Sequence, residues 1–349
     1  MYSAHQPHHM KNTILATGGT GYVGAWVVKG LLEKGHTVRL TVRDKTKKEN
    51  YRFLSKIAED SVGSLEIWEA DLLKKGSFDK AAKGCDRIVH MASPFRLNVK
   101  NAQSDLVDPA VKGTLNVLQA ANRSNSVKKV VLTSSIVAVF GDNADQKKLG
   151  LTAFTEAHFN NSSTLKHQPY SFSKVQAEKS AWELANQQSD WQLVVMNPAF
   201  VMGPSLTQNS QSESLKIMSE ILSGKYRSGA PELYLGYVDV RDVAKAHIFG
   251  LENETKGRHI LSGRVTDMLS FIQLVKEHSH HKNKLPNTFA PKWLLGIVGF
   301  YFGITRKFVT NNVGIPIDID ASKSKEKLNL NYLPLEQTVK DMVLQMEAD

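Results

Sequence analysis

The sequence predicts an α/β protein built on a doubly wound parallel sheet. Its first half alternates apolar strand patterns with amphipathic helical patterns, which is typical of parallel strands covered by helices on both faces. A glycine-rich turn at residues 17–24 lies between the first strand pattern and the first helical pattern. This context of strand, turn and helix is what a dinucleotide-binding fingerprint requires. We therefore expect a Rossmann-type fold with a smaller C-terminal substrate lobe.

Six strands and four helices are expected in the first part of the chain. The first helical pattern begins at Tyr22 and ends at Gly35, because glycine is typical of the residue that follows a helix. No internal repeat or low-complexity linker interrupts the alternation. The strands are predicted near residues 12–17, 36–43, 65–70, 87–92, 127–134 and 191–197, and the helices near 22–34, 76–83, 104–123 and 170–188.

The alternation changes after residue 197, where helical patterns are separated by short irregular pieces. Residues 10–197 are therefore predicted to form the dinucleotide-binding domain, and residues 198–349 are predicted to form the substrate lobe. Residues 1–9 precede what looks like a natural start. We interpret them as an N-terminal extension or a remnant of expression that lies outside the fold.

Composition excludes several classes of protein. A chain of 349 residues that is 41% hydrophobic and 22% charged is neither disordered nor fibrous. The net charge of +10 would suit an anionic partner, but the basic residues are scattered and no nucleic-acid motif accompanies them, so nucleic-acid binding is not expected. The only cysteine, Cys85, has no disulfide partner in the chain and no metal-ligand spacing around it. This predicts a reduced, cytoplasmic protein without a bound metal.

One segment raises the question of membrane binding. Residues 293–304 are almost wholly apolar. The segment is shorter than the roughly 20 apolar residues that a helix needs to span a membrane. A buried or lid helix over the substrate is therefore favoured, and an interfacial membrane anchor is the alternative.

The glycine turn has the residues that a pyrophosphate site needs. Gly18 and Gly21 permit a tight turn and let backbone N–H groups approach the anion, and Gly24 lets the helix pack closely on the strand. The N-terminus of the helix then faces the pyrophosphate. The residues expected to contact the cofactor here are Thr17, Gly18, Thr20, Gly21, Tyr22, Val23 and Gly24.

The end of the second strand indicates which dinucleotide is bound. An acidic side chain at this place favours the ribose hydroxyls of NAD and repels a 2′-phosphate. Here the strand is followed by Arg43, whose guanidinium offers a planar fork of donors to a phosphate, and Lys47 adds positive potential. The pattern therefore predicts NADPH. In the alternative interpretation, Arg43 is only a solvent-exposed side chain and Asp44 binds the ribose of NAD.

Two further motifs carry chemistry. Ser134 and Ser135 follow an apolar strand, and Tyr170 and Lys174 begin a helical pattern four residues apart, so that they lie on one helix face. Together with the Gly-x-x-Gly-x-x-Gly spacing of the turn, these motifs resemble the extended branch of the short-chain dehydrogenase/reductase family. The resemblance implies a catalytic triad of Ser135, Tyr170 and Lys174. It also implies that the second serine, Ser135, binds the substrate oxygen, a choice that spacing alone leaves open.

The resemblance narrows at several other motifs. Ser93-Pro94-Phe95, Asn197-Pro198 and the run at residues 238–247 are similar to NADPH-dependent carbonyl and aldehyde reductases and to plant dihydroflavonol and cinnamoyl-CoA reductases. The family pattern implies a substrate lobe that is interwoven with the main domain around residues 236–262. Phe140 stands where plant flavonoid reductases carry an Asn, and residues 167–169 lack the aromatic run of cinnamoyl-CoA reductases, so neither plant substrate is favoured.

The same resemblance assigns further site residues. The added cofactor contacts are Asp71, Leu72, Met91, Ala92, Ser93, Thr133, Pro198 and Val201, together with Tyr170 and Lys174. The expected substrate contacts are apolar, namely Phe95, Ile136, Phe140, Phe200 and Met202.

The expected function is the NADPH-dependent reduction of aldehyde or ketone carbonyls to alcohols by hydride transfer. The partner would be a small carbonyl compound, and the protein would be a monomer or a homodimer. Three alternatives stay open: a nucleotide-sugar epimerase or dehydratase that retains NAD, a steroid-type dehydrogenase of the same fold, and a non-catalytic redox sensor that binds NADP(H).

Overall fold

A seven-stranded parallel sheet forms the centre of the protein. The computed structural model describes residues 11–93, 99–207, 210, 212–299 and 305–348. The strands of the main sheet are β1 (Thr13–Thr17), β2 (Thr37–Val42), β3 (Ser64–Glu69), β4 (Arg87–His90), β5 (Lys129–Thr133), β6 (Gln192–Pro198) and β9 (Gly257–Leu261). Their order is β3-β2-β1-β4-β5-β6-β9, and every neighbouring pair is parallel. The predicted fold class is confirmed, and all six expected strands are present.

Helices cover both faces of this sheet, which explains why the central strands are nearly continuous apolar runs. On one face, α1 (Tyr22–Glu33) packs against α8 (Val240–Glu252). On the other face, α4 (Asp108–Ser124) packs against α6 (Pro169–Ala185). Gly35 follows α1 with a φ of +85°, as expected for a residue that ends a helix.

The sequence pattern did not predict every element. The helix α2 (Arg52–Glu59) was not expected, although Phe53, Leu54 and Ile57 place apolar groups on one helix face. The short helix α5 (Asp145–Lys148) was not expected either, whereas α3 (Asp79–Ala82) lies within the helix predicted near residues 76–83. The seventh strand, β9, comes from far beyond residue 198 and pairs with β6, so the C-terminal part contributes directly to the main sheet.

A second, smaller layer is built from a three-stranded sheet of β7 (Phe200–Met202), β8 (Tyr234–Asp239) and β10 (Arg264–Asp267). Its core is formed with three helices, α7 (Glu213–Leu222), α9 (Met268–His278) and α13 (Leu335–Ala348). The chain also forms α10 (Lys292–Val298), α11 (Arg306–Asn312) and α12 (Ser322–Lys327).

The apolar segment at residues 293–304 is only partly described. Its first part lies in α10, where Trp293 is 68% exposed, and residues 300–304 lie outside the described residues. Among the helices that the structure describes, none is both long and apolar enough to cross a membrane.

The strand order reverses between β1 and β4. In a doubly wound sheet, the connections leave in opposite directions at such a point and open a crevice at the carboxyl ends of the strands, where ligands bind. The residues that follow β1, β2, β4 and β5 all lie at this edge of the sheet. They include the glycine turn, Arg43, the loop after His90 and the serine pair.

Candidate active site

The glycine turn forms a closely packed cradle at the end of β1. Gly18 has a φ of +70°, which favours glycine, and a Cβ there would lie 2.6 Å from the backbone N of Ala92. A Cβ on Gly24 would lie 2.2 Å from the carbonyl O of Gly18, so α1 packs directly on the loop. Gly21 is the N-cap of α1 and brings no side-chain cap. The first N–H groups of the helix therefore suit an anionic ligand.

The other side chains of the turn are placed differently from one another. Thr20 and Val23 keep accessible surface at the loop. Tyr22 is buried, and its hydroxyl donates to the carbonyl O of Gly203 at 2.5 Å. Burial raises the pKa of this phenol well above its usual value. The Tyr22 side chain thus ties α1 to the loop after β7, and only its backbone is left to contact a cofactor.

Thr17 fixes the backbone next to the glycine turn through two hydrogen bonds. Its side chain is fully buried, and its hydroxyl bonds Nδ1 of His90 at 2.7 Å and accepts the N–H of Ala92 at 3.2 Å. Burial, with the charge of Lys174 adding to it, lowers the pKa of His90 to about 3, so this imidazole is neutral. Thr17 therefore fixes the path of the backbone at Met91 and Ala92, which keep accessible surface beside the turn.

The residues after β2 bear on the choice between NADPH and NAD. Arg43 is exposed, and within the described residues its guanidinium has no hydrogen-bond or ion-pair partner. Asp44 instead accepts the N–H of Thr46 at 2.9 Å and its hydroxyl at 2.5 Å, and these hydrogen bonds lower the pKa of the Asp44 carboxyl. Lys47 is exposed next to them. Asp44 is engaged in its own turn, whereas Arg43 is available to an anion.

The remaining predicted cofactor contacts flank the crevice. Asp71 and Leu72 follow β3 and are partly exposed, and Oδ1 of Asp71 accepts the N–H of Leu73 at 2.8 Å. Pro198 is buried at the end of β6, and Val201 is partly buried in β7 against the main core. The residues other than Pro198 keep surface that a ligand could contact.

The two serines after β5 have different environments. Ser134 is buried, and its hydroxyl donates to Oε2 of Glu178 on α6. Ser135 is the N-cap of a 3₁₀ turn at Ile136–Ala138 and keeps accessible surface. Its Oγ accepts only the N–H of Val137 at 3.4 Å, and no described residue accepts its hydroxyl proton. This difference, which the sequence does not reveal, favours Ser135 as the serine that donates to a ligand.

Tyr170 and Lys174 lie on the first two turns of α6, which begins with Pro169. The Nζ atom of Lys174 lies 5.8 Å from the centroid of the Tyr170 ring and 3.2 Å from Oγ of Ser93. The Tyr170 side chain is 48% exposed. The 3₁₀ turn that follows Ser135 packs against α6. The structure therefore brings Ser135, Tyr170 and Lys174 to the same edge of the sheet.

Thr133 lines the same crevice, and its hydroxyl is oriented by His247. The Nδ1 atom of His247 lies 2.7 Å from the carbonyl O of Val243, which can only accept, so Nδ1 carries the proton and Nε2 accepts from Thr133 at 2.7 Å. Burial lowers the pKa of His247 to about 4, which keeps the ring neutral. The oxygen of Thr133 thus offers only lone pairs to a ligand.

Comparison with known proteins identifies the family. The profile of the NAD dependent epimerase/dehydratase family matches residues 14–263. The chain belongs to this family. Among its relatives, cinnamoyl-CoA reductase CAD2 of Medicago truncatula is 35% identical over 340 residues, which are 96% of this chain and 95% of that protein.

Solved structures agree with this result. Gre2 from Candida albicans, in complex with NADPH, has a TM-score of 0.79 at 33% identity and covers 97% of this chain and 99% of its own. The yeast methylglyoxal/isovaleraldehyde reductase Gre2, complexed with NADPH, has a TM-score of 0.78 at 26% identity, with 96% and 98% covered. These proteins are reductases, so the resemblance to the extended short-chain dehydrogenase/reductases and the class of oxidoreductase are both confirmed.

Next to Ser134 and the 3₁₀ turn after Ser135, this member of the epimerase/dehydratase family carries a buried ion pair. Glu178 and Arg258 are 0% and 7% exposed, and Oε1 of Glu178 lies 2.5 Å from Nε of Arg258. Besides Ser134, the carboxylate accepts Nδ2 of Asn197 at 2.8 Å. The guanidinium also donates to the carbonyl O of Ala138 at 3.3 Å. The pair therefore joins α6 to β9 and to the 3₁₀ turn after Ser135.

The sequence patterns did not predict this pair. Glu178 lies four residues after Lys174 on the same helix, and this spacing is the only local signal that could have indicated its place. Nothing near Arg258 indicates its partner, because the two residues are 80 positions apart.

The predicted substrate contacts are placed unevenly. Ile136 and Phe200 keep accessible surface. Phe140 is buried and stacks on Phe154 with ring centroids 4.1 Å apart, and Met202 is fully buried in the core of the smaller layer. Phe95 lies outside the described residues. The placement of Phe140 and Met202 favours a packing role, so direct contact with a substrate rests on Ile136 and Phe200 among the described residues.

Proposed function

We propose that the protein reduces aldehyde and ketone carbonyls to alcohols with NADPH, and that Ser135, Tyr170 and Lys174 are its catalytic residues. One observation carries the proposal: of the two serines, only Ser135 has a hydroxyl proton without an acceptor among the described residues, and it lies at the edge of the sheet where Lys174 faces the Tyr170 ring. That the relatives are reductases supports the same reaction class.

The crevice fits a phosphorylated dinucleotide. The cradle at Gly18 and Gly24 leaves no room for side chains, and the uncapped start of α1 would bind the pyrophosphate. Arg43 would bind the 2′-phosphate with Lys47 beside it, since Asp44 is engaged in its own turn. Further contacts are proposed for Thr20, Val23, Asp71, Leu72, Met91, Ala92, Ser93, Thr133, Lys174, Pro198 and Val201, and for the backbone of Thr17, Gly21 and Tyr22.

The triad residues have separate tasks in this mechanism. Bound NADPH would supply the hydride. The hydroxyl of Ser135 donates to the carbonyl oxygen and stabilises the negative charge that develops there. The hydroxyl of Tyr170 gives its proton to the same oxygen. The ammonium of Lys174, 5.8 Å from the ring centroid, favours the phenolate that remains.

The substrates proposed are small to medium apolar or aromatic aldehydes and ketones. Ile136 directly follows Ser135 and keeps accessible apolar surface, as does Phe200, and both are proposed, with Phe95, to line the substrate pocket. A pocket with such a lining leaves sugar hydroxyls without partners, and each buried unpaired group costs about 1–3 kcal/mol. Polyhydroxylated and nucleotide-linked compounds are therefore disfavoured.

A substrate panel tests the proposal. Purified protein is mixed with NADPH and with aryl ketones, α-keto aldehydes, α-keto esters, a nucleotide sugar and a coenzyme A thioester, and the loss of nicotinamide absorbance is followed. Turnover of the aryl ketones and α-keto compounds is expected. Turnover of the nucleotide sugar alone or of the thioester alone would contradict the proposed substrate class.

Each of the three alternative functions predicts a different result with the same purified protein. An epimerase or dehydratase would retain NAD through purification. A steroid-type dehydrogenase anchored at the apolar segment would sediment with liposomes. A redox sensor would bind NADPH and turn over no carbonyl compound. The monomeric or homodimeric state and the cytoplasmic location stay predictions.

Arg43→Asp is expected to reverse the cofactor preference. The substitution removes the guanidinium fork and introduces a carboxylate that repels a 2′-phosphate and accepts from a ribose hydroxyl. Loss of one charge-assisted contact of about 1.5–3 kcal/mol corresponds to roughly a ten- to hundredfold change in discrimination. The measurement is kcat/KM with NADPH and with NADH. Arg227→Asp, at an exposed arginine of the smaller layer, is the control and should keep the wild-type preference. Equal use of NADH and NADPH by the wild type would contradict the role of Arg43.

A further inference from the structure

A buried carboxylate lies close to the start of the catalytic helix. Asp142 is 1% exposed and accepts Nε2 of His167 at 2.9 Å and Nε2 of Gln168 at 2.7 Å. It also accepts Nδ2 of Asn311 at 2.7 Å and Nδ2 of Asn312 at 2.8 Å. Burial alone would raise the pKa of this carboxyl, but the hydrogen bonds outweigh it and hold the pKa below its usual value. Asp142 is therefore ionised and has side-chain donors from two separate parts of the chain.

The first of these two parts consists of His167 and Gln168, which lie directly before Pro169 and Tyr170 in the sequence. Gln168 is the N-cap of α6, with a φ of +54°, a conformation that residues other than glycine rarely adopt. Its Nε2 donates to Asp142 and to the carbonyl O of Gly141 at 3.0 Å, and its Oε1 accepts the hydroxyl of Ser171 at 3.3 Å. These contacts hold the strained residue in place. Only Pro169 separates it from Tyr170.

The second part is the end of α11 (Arg306–Asn312). Asn311 and Asn312 are the last two residues of α11, which follows the apolar segment at residues 293–304. The carbonyl O of Asn311 also accepts the N–H of Ala144, and Oδ1 of Asn312 accepts the N–H of Asn143 at 3.0 Å. The end of α11 is thus bound to the residues next to Asp142 through backbone and side chain.

We propose that Asp142 is a positioning residue for the reaction: it holds Gln168 in its left-handed conformation, thereby sets the position of Tyr170, and joins that position to α11. The inference rests on the proposed function, since it gives Tyr170 a catalytic role. Asp142 acts through Gln168 and need not contact the substrate or the cofactor. Strained backbone at a functional site persists only where the surroundings hold it, and Asp142 supplies that support here.

The test uses Asp142→Asn in the full-length protein. The amide keeps the shape of the side chain but cannot accept from all four donors, so α6 should begin in a less defined position. A shift of about 1 Å at a reacting group costs on the order of a hundredfold in rate, so we expect kcat to fall roughly ten- to a hundredfold. The affinity for NADPH should stay at the wild-type value, and the pH dependence of kcat should change because the surroundings of Tyr170 change. Glu156→Gln is the control, because this carboxylate accepts the N–H of Ile260 at 2.9 Å and has no contact with Gln168.

Two substitutions of Gln168, by glycine and by alanine, test the same proposal if the Asp142→Asn protein does not fold. Glycine adopts a positive φ without strain, whereas alanine does not, and both lack the anchoring amide. We expect kcat to decrease in the order wild type, Gln168→Gly, Gln168→Ala, at equal NADPH affinity. Equal kcat for the glycine and alanine variants, or a wild-type kcat and pH profile for Asp142→Asn, would overturn the role of Asp142. Absence of carbonyl turnover in the wild type would instead overturn the proposed function.

Discussion

Replacing Tyr170 with phenylalanine is expected to lower kcat for carbonyl reduction by about 10²–10⁴-fold, the range that a positioned general acid contributes. The ring and its 48% exposure are retained, and only the oxygen that carries the proton is lost. Because the glycine cradle, Arg43 and Lys174 are untouched, the affinity for NADPH should stay close to the wild-type value. Single-turnover kinetics with a substrate from the panel and a fluorescence titration with NADPH measure the two quantities separately.

Two further variants test whether the loss of activity is specific to the hydroxyl of Tyr170. Tyr226→Phe removes a phenol hydroxyl in the smaller layer, where it contacts Glu220 at 3.4 Å, and should leave kcat unchanged. Lys174→Ala should lower both kcat and NADPH affinity, because the ammonium faces the Tyr170 ring and also contacts Ser93 in the loop after β4. A Tyr170→Phe protein that still reduces the panel compounds at the wild-type rate would rule out Tyr170 as the proton donor.

Most of the main sheet could be predicted because its signals are local. The central strands are short apolar runs, α1 and α4 have periodic apolar faces, and the glycine turn marks the first crossover. The elements that the pattern missed depend on distant partners. The strand β9 is short, and its place beside β6 follows from pairing across more than 50 residues of intervening chain. The helix α2 has only eight residues, and just three large apolar side chains, Phe53, Leu54 and Ile57, form its apolar face.

The candidate site could be predicted at the level of motifs but not of contacts. The glycine turn, Arg43 and the pair Tyr170 and Lys174 are recognisable because their spacing follows from the geometry of one turn, one strand end and one helix. The choice between Ser134 and Ser135 needs the structure, because it depends on Glu178, which lies 44 positions away. The same holds for Asp44, whose carboxylate is engaged by Thr46.

The predicted substrate contacts show that an apolar residue near a motif is a weak indication of direct contact with a ligand. Phe140 and Met202 lie close in sequence to residues predicted for catalysis or cofactor binding, yet both side chains pack into cores. Phe140 follows the end of β5 by seven positions and has room to turn inward, and its aromatic ring gains more free energy from stacking on Phe154 than from exposure. Sequence position alone could not distinguish these two outcomes.

Glu178→Gln is expected to destabilise the protein by about 3–5 kcal/mol, the usual cost of removing one partner of a buried ion pair. The substitution keeps the volume and one acceptor oxygen of the side chain, so Ser134 and Asn197 can still find a partner. It removes the charge that compensates Arg258, which is only 7% exposed. Equilibrium unfolding in urea measures the change. Glu336→Gln is the control, because the pair of Glu336 and Arg264 is 49% and 50% exposed and such pairs contribute at most about 1 kcal/mol.

A double variant shows whether the uncompensated charge is the cause. Arg258→Met removes the guanidinium, so adding it to Glu178→Gln also removes the charge that the first substitution left unpaired. The loss of stability in Glu178→Gln/Arg258→Met should therefore be smaller than the sum of the two single losses, by an interaction energy of about 0.5–3 kcal/mol. Additive losses, or a Glu178→Gln protein as stable as the Glu336→Gln control, would mean that the pair does not hold α6 against β9. The Ser135 turn would then have to be fixed by its other contacts, such as the hydrogen bonds that Asn160 donates to the carbonyl groups of Val137 and Ala138.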